Sequence, residues 1–271
     1  MKNTETDAAP GTIGAFFDVD ETLIRGSSSF ILARALWRRG IITLADLAYG
    51  ANATWQYIVF GENRRHIDKL VARALQCMAG HSEEELIGIG EEIYENFFAS
   101  RLYPQAKSLL DEHRAAGHEV WLISATPSQI THLLARRLGA DGGVGTEVTL
   151  RDGRFTAELA SPLMHGPGKV SAMRGIARKR GIDLGASYAY SDSVNDLPML
   201  RAVGHPNAIN PDPKLRLVAL AAGWRIYDLR KRKRTDMEQK AKTTAKRSAH
   251  IGLVWWLFRL LRRRFSGRHG R

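Results

Sequence analysis

The stretch IGAFFDVDETL, residues 13–23, decides the fold predicted for this chain. Its first part, residues 13–19, is apolar and aromatic apart from Asp18, which is typical of a buried β-strand. Asp18 and Asp20 therefore leave the end of this strand on one loop. Ligand-binding groups gather at the carboxyl ends of strands in open α/β sheets. The stretch predicts a functional site at the end of the first strand.

The rest of the chain predicts a doubly wound, Rossmann-like α/β fold with three layers. From Pro104 onward, predicted helices alternate with strands such as EVWLISA (119–125) and SYAYSDS (187–193), and this alternation favours a mostly parallel sheet. A hairpin is expected to turn at Asp152-Gly153, and the glycines at 142–145 are expected to lead into a strand. Residues 28–100 are helical in pattern instead. We expect a catalytic core at 13–27 and 101–229, an inserted helical cap at 28–100, and a basic tail at 230–271.

The positive charge of the chain is concentrated in its tail. The formal net charge of the 271 residues is +12. Residues 230–271 hold 15 Lys and Arg against two Asp and Glu, a net charge of +13, which leaves a net of −1 for the rest of the chain. The high isoelectric point therefore does not indicate a nucleic-acid-binding body.

We expect a cytoplasmic protein. The single cysteine, Cys77, excludes an intramolecular disulfide and fits a reducing compartment. The N-terminus does not resemble a secretory signal, and no apolar run approaches the roughly 20 residues of a transmembrane helix. The sequence does not indicate an oligomeric state.

The tail leaves three alternatives open. Residues 251–265 combine Trp255, Trp256 and Phe258 with clustered arginines, which is typical of a helix lying on an anionic membrane surface. The second alternative is a helix that docks on the domain or on a partner. Nucleic-acid binding by the basic run 230–234 is the third and least favoured.

Four separated groups of polar residues lie at predicted strand ends or helix starts. Asp18 and Asp20 can divide the work of phosphoryl transfer, since one carboxylate can attack phosphorus while the other moves a proton to the leaving oxygen. Ser124, beside a helix N-terminus, suits a phosphoryl oxygen, and Lys169 can neutralise phosphoryl charge. The run 192–196 (DSVND) adds carboxylate oxygens for a hard cation such as Mg²⁺. Alone, Lys169 is also typical of a solvated lysine on a helix, and each of the other groups is also typical of a turn or a helix cap. The conjunction of all four favours a phosphoryl-transfer site.

These stretches together resemble the motifs of the haloacid dehalogenase superfamily. The matching segments are FFDVDETL (16–23), LISAT (122–126), GPGK (166–169) and YSDSVNDLPML (190–200). They are most similar to subgroup IB, the phosphoserine phosphatase-like members that carry a helical cap after the first motif. The resemblance covers about residues 13–229. It implies an Mg²⁺-dependent hydrolase of phosphate monoesters that acts on a small phosphorylated substrate through an aspartyl-phosphate intermediate.

The resemblance also implies a role for each matching residue. Asp18 would be the nucleophile that becomes phosphorylated. Asp20 would protonate the leaving group and then activate water. Ser124 and Lys169 would bind the phosphoryl group.

The same resemblance implies which residues would bind the metal. Asp18, the backbone carbonyl of Asp20, and Asp192 would hold Mg²⁺. Asn195 and Asp196 would support the metal and its waters.

Three positions depart from the family pattern, and two of them bear on the substrate. Phosphoserine phosphatases have a glutamate nine residues after the nucleophile, where this chain has Ser27, and Ser-Gly-Gly where it has 124–126 (SAT). Ser191 stands where many members have glycine, which we expect only to reduce loop freedom. Arg25, Ser27, Ala125 and Thr126 are the candidate substrate contacts.

The departures at Ser27 and at 124–126 weaken phosphoserine as the substrate without affecting the prediction of a phosphatase. Three alternatives stay open. The substrate could be a lipid-linked phosphate at a membrane surface, the phosphoryl group could be transferred to an acceptor other than water, or the protein could be a membrane-binding module with an idle site.

Two other groups of side chains are expected to be structural. The aromatic segment 54–60 is expected to pack within the cap rather than face the substrate. Five histidines show no metal-ligand spacing and are expected at the surface or in loops; they are His81, His113, His118, His132 and His165.

Overall fold

The structure is a computed structural model that describes residues 11–50, 52 and 64–230. The chain divides into two units, Met1–Tyr227 and Asp228–Arg271, and only residues 228–230 of the second unit are described. The aromatic segment 54–60 and the tail from residue 231 onward lie outside the described residues. The expectations for both therefore stay predictions.

The described part of the first unit contains a six-stranded sheet in which every pair of neighbouring strands is parallel. The strands of this sheet are β1 Gly14–Phe17, β2 Glu119–Pro127, β3 Gly142–Thr146, β6 Tyr188–Ser191, β7 His205–Ile209 and β8 Arg225–Tyr227, in the order β3-β2-β1-β6-β7-β8. A separate two-stranded antiparallel sheet pairs β4 Val148–Arg151 with β5 Arg154–Leu159 and turns at residues 152–153 as predicted.

Helices lie between the strands and also fill most of the segment between β1 and β2. The helices of that segment are α1 Ser28–Arg38, α2 with residues 44–50 described, α3 Arg64–Met78, α4 Glu83–Ile93, a π-helical turn Tyr94–Phe98 and α5 Ala99–Arg101. The remaining helices are α6 Pro104–Ala115, α7 Ser128–Leu138, α8 Pro167–Arg180, α9 Leu197–Leu200 and α10 Pro213–Ala221, with 3₁₀ turns at Leu184–Ala186 and Val194–Asp196.

This architecture confirms the predicted doubly wound α/β fold. The assignment of residues 28–100 to a separate cap domain stays a prediction. Across the described ranges, no helix combines the length and apolarity needed to cross a membrane.

Strand β1 lies inside the sheet and positions the predicted site. All four of its residues are buried, as expected for a parallel strand covered on both faces. Phe17 pairs with Leu122 of β2 on one side and with Tyr190 of β6 on the other. The residues that follow these three positions therefore emerge at the same edge of the sheet.

The glycines at 142–145 form strand β3 itself, whereas the sequence predicted only that they lead into a strand. A side-chain carbon at Gly143 would lie 2.6 Å from the carbonyl oxygen of Thr131, and one at Gly145 would lie 2.5 Å from the carbonyl oxygen of Thr126. Both distances are far too short for non-bonded atoms. The glycines therefore allow β3 to pack directly against the backbones of α7 and β2.

The expectation that His113 lies at the surface is wrong. Its side chain is buried in α6, and its two ring nitrogens each lie 2.8 Å from a polar partner, the hydroxyl of Tyr190 and Nδ1 of His118. Because both ring nitrogens have partners, burial leaves neither of them unsatisfied. Burial, together with the neighbouring His118, lowers the pKa of His113 to about 4.

We predict that His113 makes the fold sensitive to mild acid. The folded state holds this imidazole neutral to about pH 4, whereas the unfolded chain protonates it below about pH 6.5. The stability that the neutral His113 contributes is therefore fully present above about pH 6.5. It is lost as the pH falls toward 4. The free energy of unfolding should drop between pH 7 and pH 4 by up to about 3 kcal/mol more in the wild type than in His113→Gln.

Urea unfolding at several pH values measures this difference. His132→Gln is the matched control, because His132 is exposed on α7, and it should keep the wild-type pH dependence. Equal pH dependence in His113→Gln and the wild type would contradict the prediction.

Candidate active site

A buried lysine joins two of the predicted carboxylates. Nζ of Lys169 lies 2.5 Å from Oδ1 of Asp18 and 2.7 Å from Oδ2 of Asp196. None of the three residues is more than 5% exposed. Asp18 follows β1, Asp196 closes the 3₁₀ turn after β6, and Lys169 lies in the first turn of α8. The fold thus brings together three of the predicted site residues from three separate motifs.

The turn before α8 needs its glycines to place Lys169. Gly166 has a φ of +49°, which favours glycine. A side-chain carbon on Gly168 would lie 2.2 Å from the carbonyl oxygen of Leu163, which no residue but glycine can avoid. Pro167 occupies the first position of the helix, where its fixed φ suits the helical backbone. The GPG sequence is therefore the local reason that Lys169 enters the site.

The charges at this site favour a cationic lysine. Burial lowers the pKa of Lys169, but the carboxylates of Asp18 and Asp196 outweigh burial and raise it above its usual range. Lys169 therefore remains an ammonium ion at neutral pH.

Asp18 is held in an environment with excess negative charge. Burial raises its pKa to about 7; the Lys169 ammonium lowers the pKa, while the charges of Asp196 and Asp20 raise it further. The single charge of Lys169 does not balance the two carboxylates that it contacts, Asp18 and Asp196. An additional cation beside Asp18 would favour its ionised form.

The predicted acid Asp20 belongs to a chain of hydrogen bonds that reaches Ser124. The backbone N–H of Ser28, the first residue of α1, donates to Oδ1 of Asp20 at 2.8 Å. The Ser28 hydroxyl is hydrogen-bonded to the hydroxyl of Thr126, whose oxygen lies 2.9 Å from Oγ of Ser124. Ser28, Thr126 and Ser124 are all buried. The motifs after β1 and within β2 are therefore connected through the start of α1.

The environment of Asp20 suits a group that carries a proton. Burial raises its pKa, and the hydrogen bonds from Ser28 and the charge of Lys169 only partly oppose this effect. A carboxyl group whose pKa is raised gives up its proton less readily to water and is better suited to donate it to a leaving oxygen.

Sequence reasoning missed the role of Ser191. Its hydroxyl donates to Oδ2 of Asp196 at 2.7 Å and accepts from the backbone N–H of Ser193 at 3.2 Å. The residue was expected only to limit loop freedom. It instead fixes the carboxylate that shares Lys169 with Asp18. The signal was a serine in a position where many members of the resembled family have glycine.

Other residues that brace the site carried little or no sequence signal. The hydroxyl of Thr22 donates to Oδ2 of Asp18 at 3.1 Å; Thr22 belongs to the first motif, but its role was not assigned. Asp212, which caps α10, accepts from the backbone N–H of Val194 at 2.7 Å and donates its own N–H to the carbonyl of Asp192 at 2.7 Å. Asp212 lies outside every motif and could not be found from sequence.

The predicted metal ligands leave neighbouring strands. Asp18 follows β1 and Asp192 follows β6, and these strands pair in parallel through Phe17 and Tyr190. No three His, Cys, Asp or Glu side chains within the described ranges form a cluster suited to a metal. The predicted set instead has two carboxylates and the carbonyl of Asp20, all oxygen donors of the kind that Mg²⁺ prefers. Together with the excess negative charge around Asp18, this donor set fits the ion.

The supporting residue Asn195 lies in the same 3₁₀ turn as Asp196. It is half-buried, and its backbone N–H donates to Oγ of Ser193 at 3.3 Å.

The candidate substrate residues separate into two groups. Thr126 is buried within the hydrogen-bond chain, and Ser27 caps α1, where its hydroxyl accepts from the backbone N–H of Phe30. Arg25 lies with its guanidinium carbon 5.6 Å from the ring centroid of Tyr103. Ala125 is exposed, and its carbonyl accepts from Oγ1 of Thr146. Of these four residues, only Thr126 is hydrogen-bonded to another predicted site residue, Ser124, in the described part of the chain.

Comparison of the sequence with known proteins agrees with this geometry. The haloacid dehalogenase-like hydrolase family model matches residues 15–201. A phosphoserine phosphatase from Mycobacterium tuberculosis is 41% identical over 220 residues, which cover 81% of this chain and 71% of that protein. A histidinol-phosphatase from Neisseria meningitidis is 30% identical over 220 residues, covering 80% of this chain and 98% of that protein.

Solved structures share the fold. A Bordetella pertussis protein of unknown function aligns with a TM-score of 0.72 and 33% identity, covering 81% of this chain and 99% of that one. A phospho-aspartyl intermediate analogue of phosphoserine phosphatase aligns with a TM-score of 0.57 and 19% identity, covering 82% and 97%. On the evidence of the matched motifs, the relatives and the site geometry, the chain belongs to the haloacid dehalogenase-like hydrolase family, as one of its phosphatases.

Proposed function

We propose that the protein hydrolyses a small phosphate monoester in two steps, with Asp18 as the nucleophile and Mg²⁺ as the cofactor. The observation that carries the proposal is the contact of Lys169 with both Asp18 and Asp196 at the carboxyl edge of the sheet. A buried ammonium ion beside a carboxylate is suited to receive a phosphoryl group whose charge it can stabilise.

In the first step, a carboxylate oxygen of Asp18 attacks phosphorus and the bond from phosphorus to the leaving oxygen breaks. Asp20 gives its proton to that oxygen, so the leaving group departs as an alcohol. Lys169 and Ser124 hold the phosphoryl oxygens. The Thr22 hydroxyl, 3.1 Å from Oδ2 of Asp18, keeps the nucleophile oriented during the attack.

In the second step, water hydrolyses the phosphorylated Asp18. Asp20, now ionised, takes a proton from the water as its oxygen attacks phosphorus. The bond between Asp18 and phosphorus breaks, which releases inorganic phosphate and restores the carboxylate. The hydrogen bond from the backbone of Ser28 keeps Asp20 in one position for both proton transfers.

The metal would be held by Asp18, Asp192 and the carbonyl oxygen of Asp20. When bound, Mg²⁺ supplies positive charge that neutralises the phosphoryl oxygens and favours the ionised form of Asp18. Asp212 supports the loop that carries Asp192, because it accepts from the backbone N–H of Val194 and donates its own N–H to the carbonyl of Asp192.

The substrate is a small phosphorylated metabolite rather than phosphoserine in particular. Relatives of this chain are named as phosphatases of phosphoserine and of histidinol phosphate, which differ in the group attached to the phosphate. Ser27 in this chain is a short neutral side chain that caps α1, and it cannot form an ion pair with a substrate amine.

We predict that Asp18→Asn abolishes turnover without unfolding the protein. The amide has nearly the same shape but cannot attack phosphorus, so kcat should fall by about 10³-fold or more. Steady-state kinetics with p-nitrophenyl phosphate measures the loss, and a thermal melt checks the fold. Asp111→Asn, which alters a half-exposed carboxylate of α6, is the matched control and should keep its kcat. Residual kcat above about 1% of the wild type would contradict nucleophilic catalysis by Asp18.

We also predict that activity depends on Mg²⁺ through Asp192. Treatment with a chelator should remove activity and added Mg²⁺ should restore it. Asp192→Asn should raise the Mg²⁺ concentration that gives half-maximal rate by about tenfold or more, since the variant removes one charged ligand. Titration of Mg²⁺ against initial rate measures the shift. A wild-type enzyme that stays fully active after exhaustive chelation would rule out the metal assignment.

A further inference from the structure

Two residues with left-handed backbone conformations meet beside the proposed acid. Glu21, which lies between Asp20 and Thr22, has a φ of +55°, and Asn210, which follows β7, has a φ of +48°. Residues with a side-chain carbon rarely adopt this conformation, although asparagine tolerates it better than most. The side-chain amide of Asn210 donates to the backbone carbonyl of Glu21 at 2.9 Å, across 189 positions of the chain. The conformation of Glu21 is therefore supported by a distant part of the fold.

The turn that contains Glu21 is also closed by contacts of its own. The carboxylate of Glu21 accepts from the backbone N–H of Gly26 at 2.9 Å and from the hydroxyl of Tyr103 at 3.3 Å. The backbone N–H of Glu21 donates to the carbonyl of Gly26 at 3.3 Å. These bonds use the side chain and the N–H of Glu21, whereas Asn210 binds its carbonyl. Loss of the Asn210 amide would therefore release the carbonyl and leave the groups that close the turn in place.

Asn210 is itself held by the sheet. It is 3% exposed, and its backbone N–H donates to the carbonyl of Tyr227 in β8 at 2.8 Å. Two residues later, Asp212 binds the loop that carries Asp192. The connection between β7 and α10 thus contacts both loops that carry proposed catalytic or metal-binding carboxylates. Because β6 lies between β7 and β1, this support comes from outside the two strands that the carboxylates follow.

The conformation of Glu21 bears on the residues on both sides of it. Asp20 accepts from the backbone N–H of Ser28 at 2.8 Å, and the hydroxyl of Thr22 donates to Asp18 at 3.1 Å. A rotation of the Glu21 backbone toward a more common conformation would change the direction in which the chain enters from Asp20. The hydrogen bond to Ser28 would then strain or break. The position of the proposed acid thus depends on the carbonyl that Asn210 holds.

We propose that Asn210 is a positioning residue for the proton transfer. Its amide keeps Glu21 in the left-handed conformation and so keeps Asp20 where it can protonate the leaving oxygen. The inference rests on the proposed function. It assigns a role to a residue outside the four motifs that resemble the family, and that residue acts through the backbone of Glu21 rather than by touching the substrate.

Two esters of similar shape test the inference on the full chain. p-Nitrophenyl phosphate needs little protonation of its leaving oxygen, whereas phenyl phosphate needs much more. The ratio of their kcat/KM values reports this protonation, since kcat/KM covers the steps up to departure of the leaving group. Asn210→Gly keeps a positive φ accessible but removes the amide, so it should raise the preference for p-nitrophenyl phosphate by about tenfold or more. Asn210→Asp, which has a similar shape but no donor at neutral pH, should act in the same direction.

Two further variants separate positioning from stability. Asn207→Ala is the matched control, because Asn207 is a buried asparagine of β7 whose amide donates to the carbonyl of His205 at 2.7 Å instead. It should keep the wild-type ratio. In the Asp20→Asn background, Asn210→Gly should raise the ratio no further, because the group that it positions can no longer supply a proton.

Three results would overturn the inference. The first is a wild-type ratio in an Asn210 variant that folds, whether or not both rates fall, since a residue that only stabilises the fold would affect the two esters equally. The second is a further rise of the same size in the Asp20→Asn background. The third is loss of the folded state in thermal melts of both Asn210 variants. Failure of the proposed function is separate, because it would show as no hydrolysis of p-nitrophenyl phosphate by the wild type.

Discussion

The burial of one ammonium ion between two carboxylates is the constraint on which the site depends. A lysine as buried as Lys169 is costly to hold as a charged group unless oppositely charged partners surround it. Its partners, Asp18 and Asp196, come from the ends of neighbouring strands, so the pairing of β1 with β6 must hold for all three charges to meet. Replacing Lys169 with a neutral residue would leave two buried carboxylates without compensation, which typically costs about 3–5 kcal/mol. The same contact therefore constrains the fold and fixes the position of Asp18, the proposed nucleophile.

The sequence predicted the parts of the site that depend on local structure. The apolar run before Asp18 predicts a buried strand that ends in a carboxylate. The GPG turn predicts a helix that begins at Lys169, and the observed helix begins at Pro167 with Lys169 in its first turn. What it could not predict depends on side chains that meet only in the folded chain. The bond from Ser191 to Asp196, the burial of His113 against Tyr190, and the bracing of the metal loop by Asp212 are of this kind. No residue spacing or periodicity in the sequence indicates any of these contacts.

The start of α1 connects the motif after β1 with the motif in β2. Ser28 contacts Asp20 through its backbone N–H and Thr126 through its hydroxyl, and Thr126 is in turn hydrogen-bonded to Ser124. A change in the position of α1 would therefore move the proposed proton donor and the proposed phosphoryl-binding hydroxyl together.

The central claim is that Asp18 carries the phosphoryl group during turnover, and trapping the intermediate tests it most directly. The Asp20→Asn enzyme should form the aspartyl-phosphate from an activated ester that needs little protonation of its leaving group, such as p-nitrophenyl phosphate, but should hydrolyse it slowly. Acid quenching during turnover, peptic digestion and mass spectrometry would then locate the added phosphoryl group. The account predicts one phosphoryl group on Asp18. A phosphoryl group on another residue, or turnover of the ester by this variant with none on the protein, would contradict it.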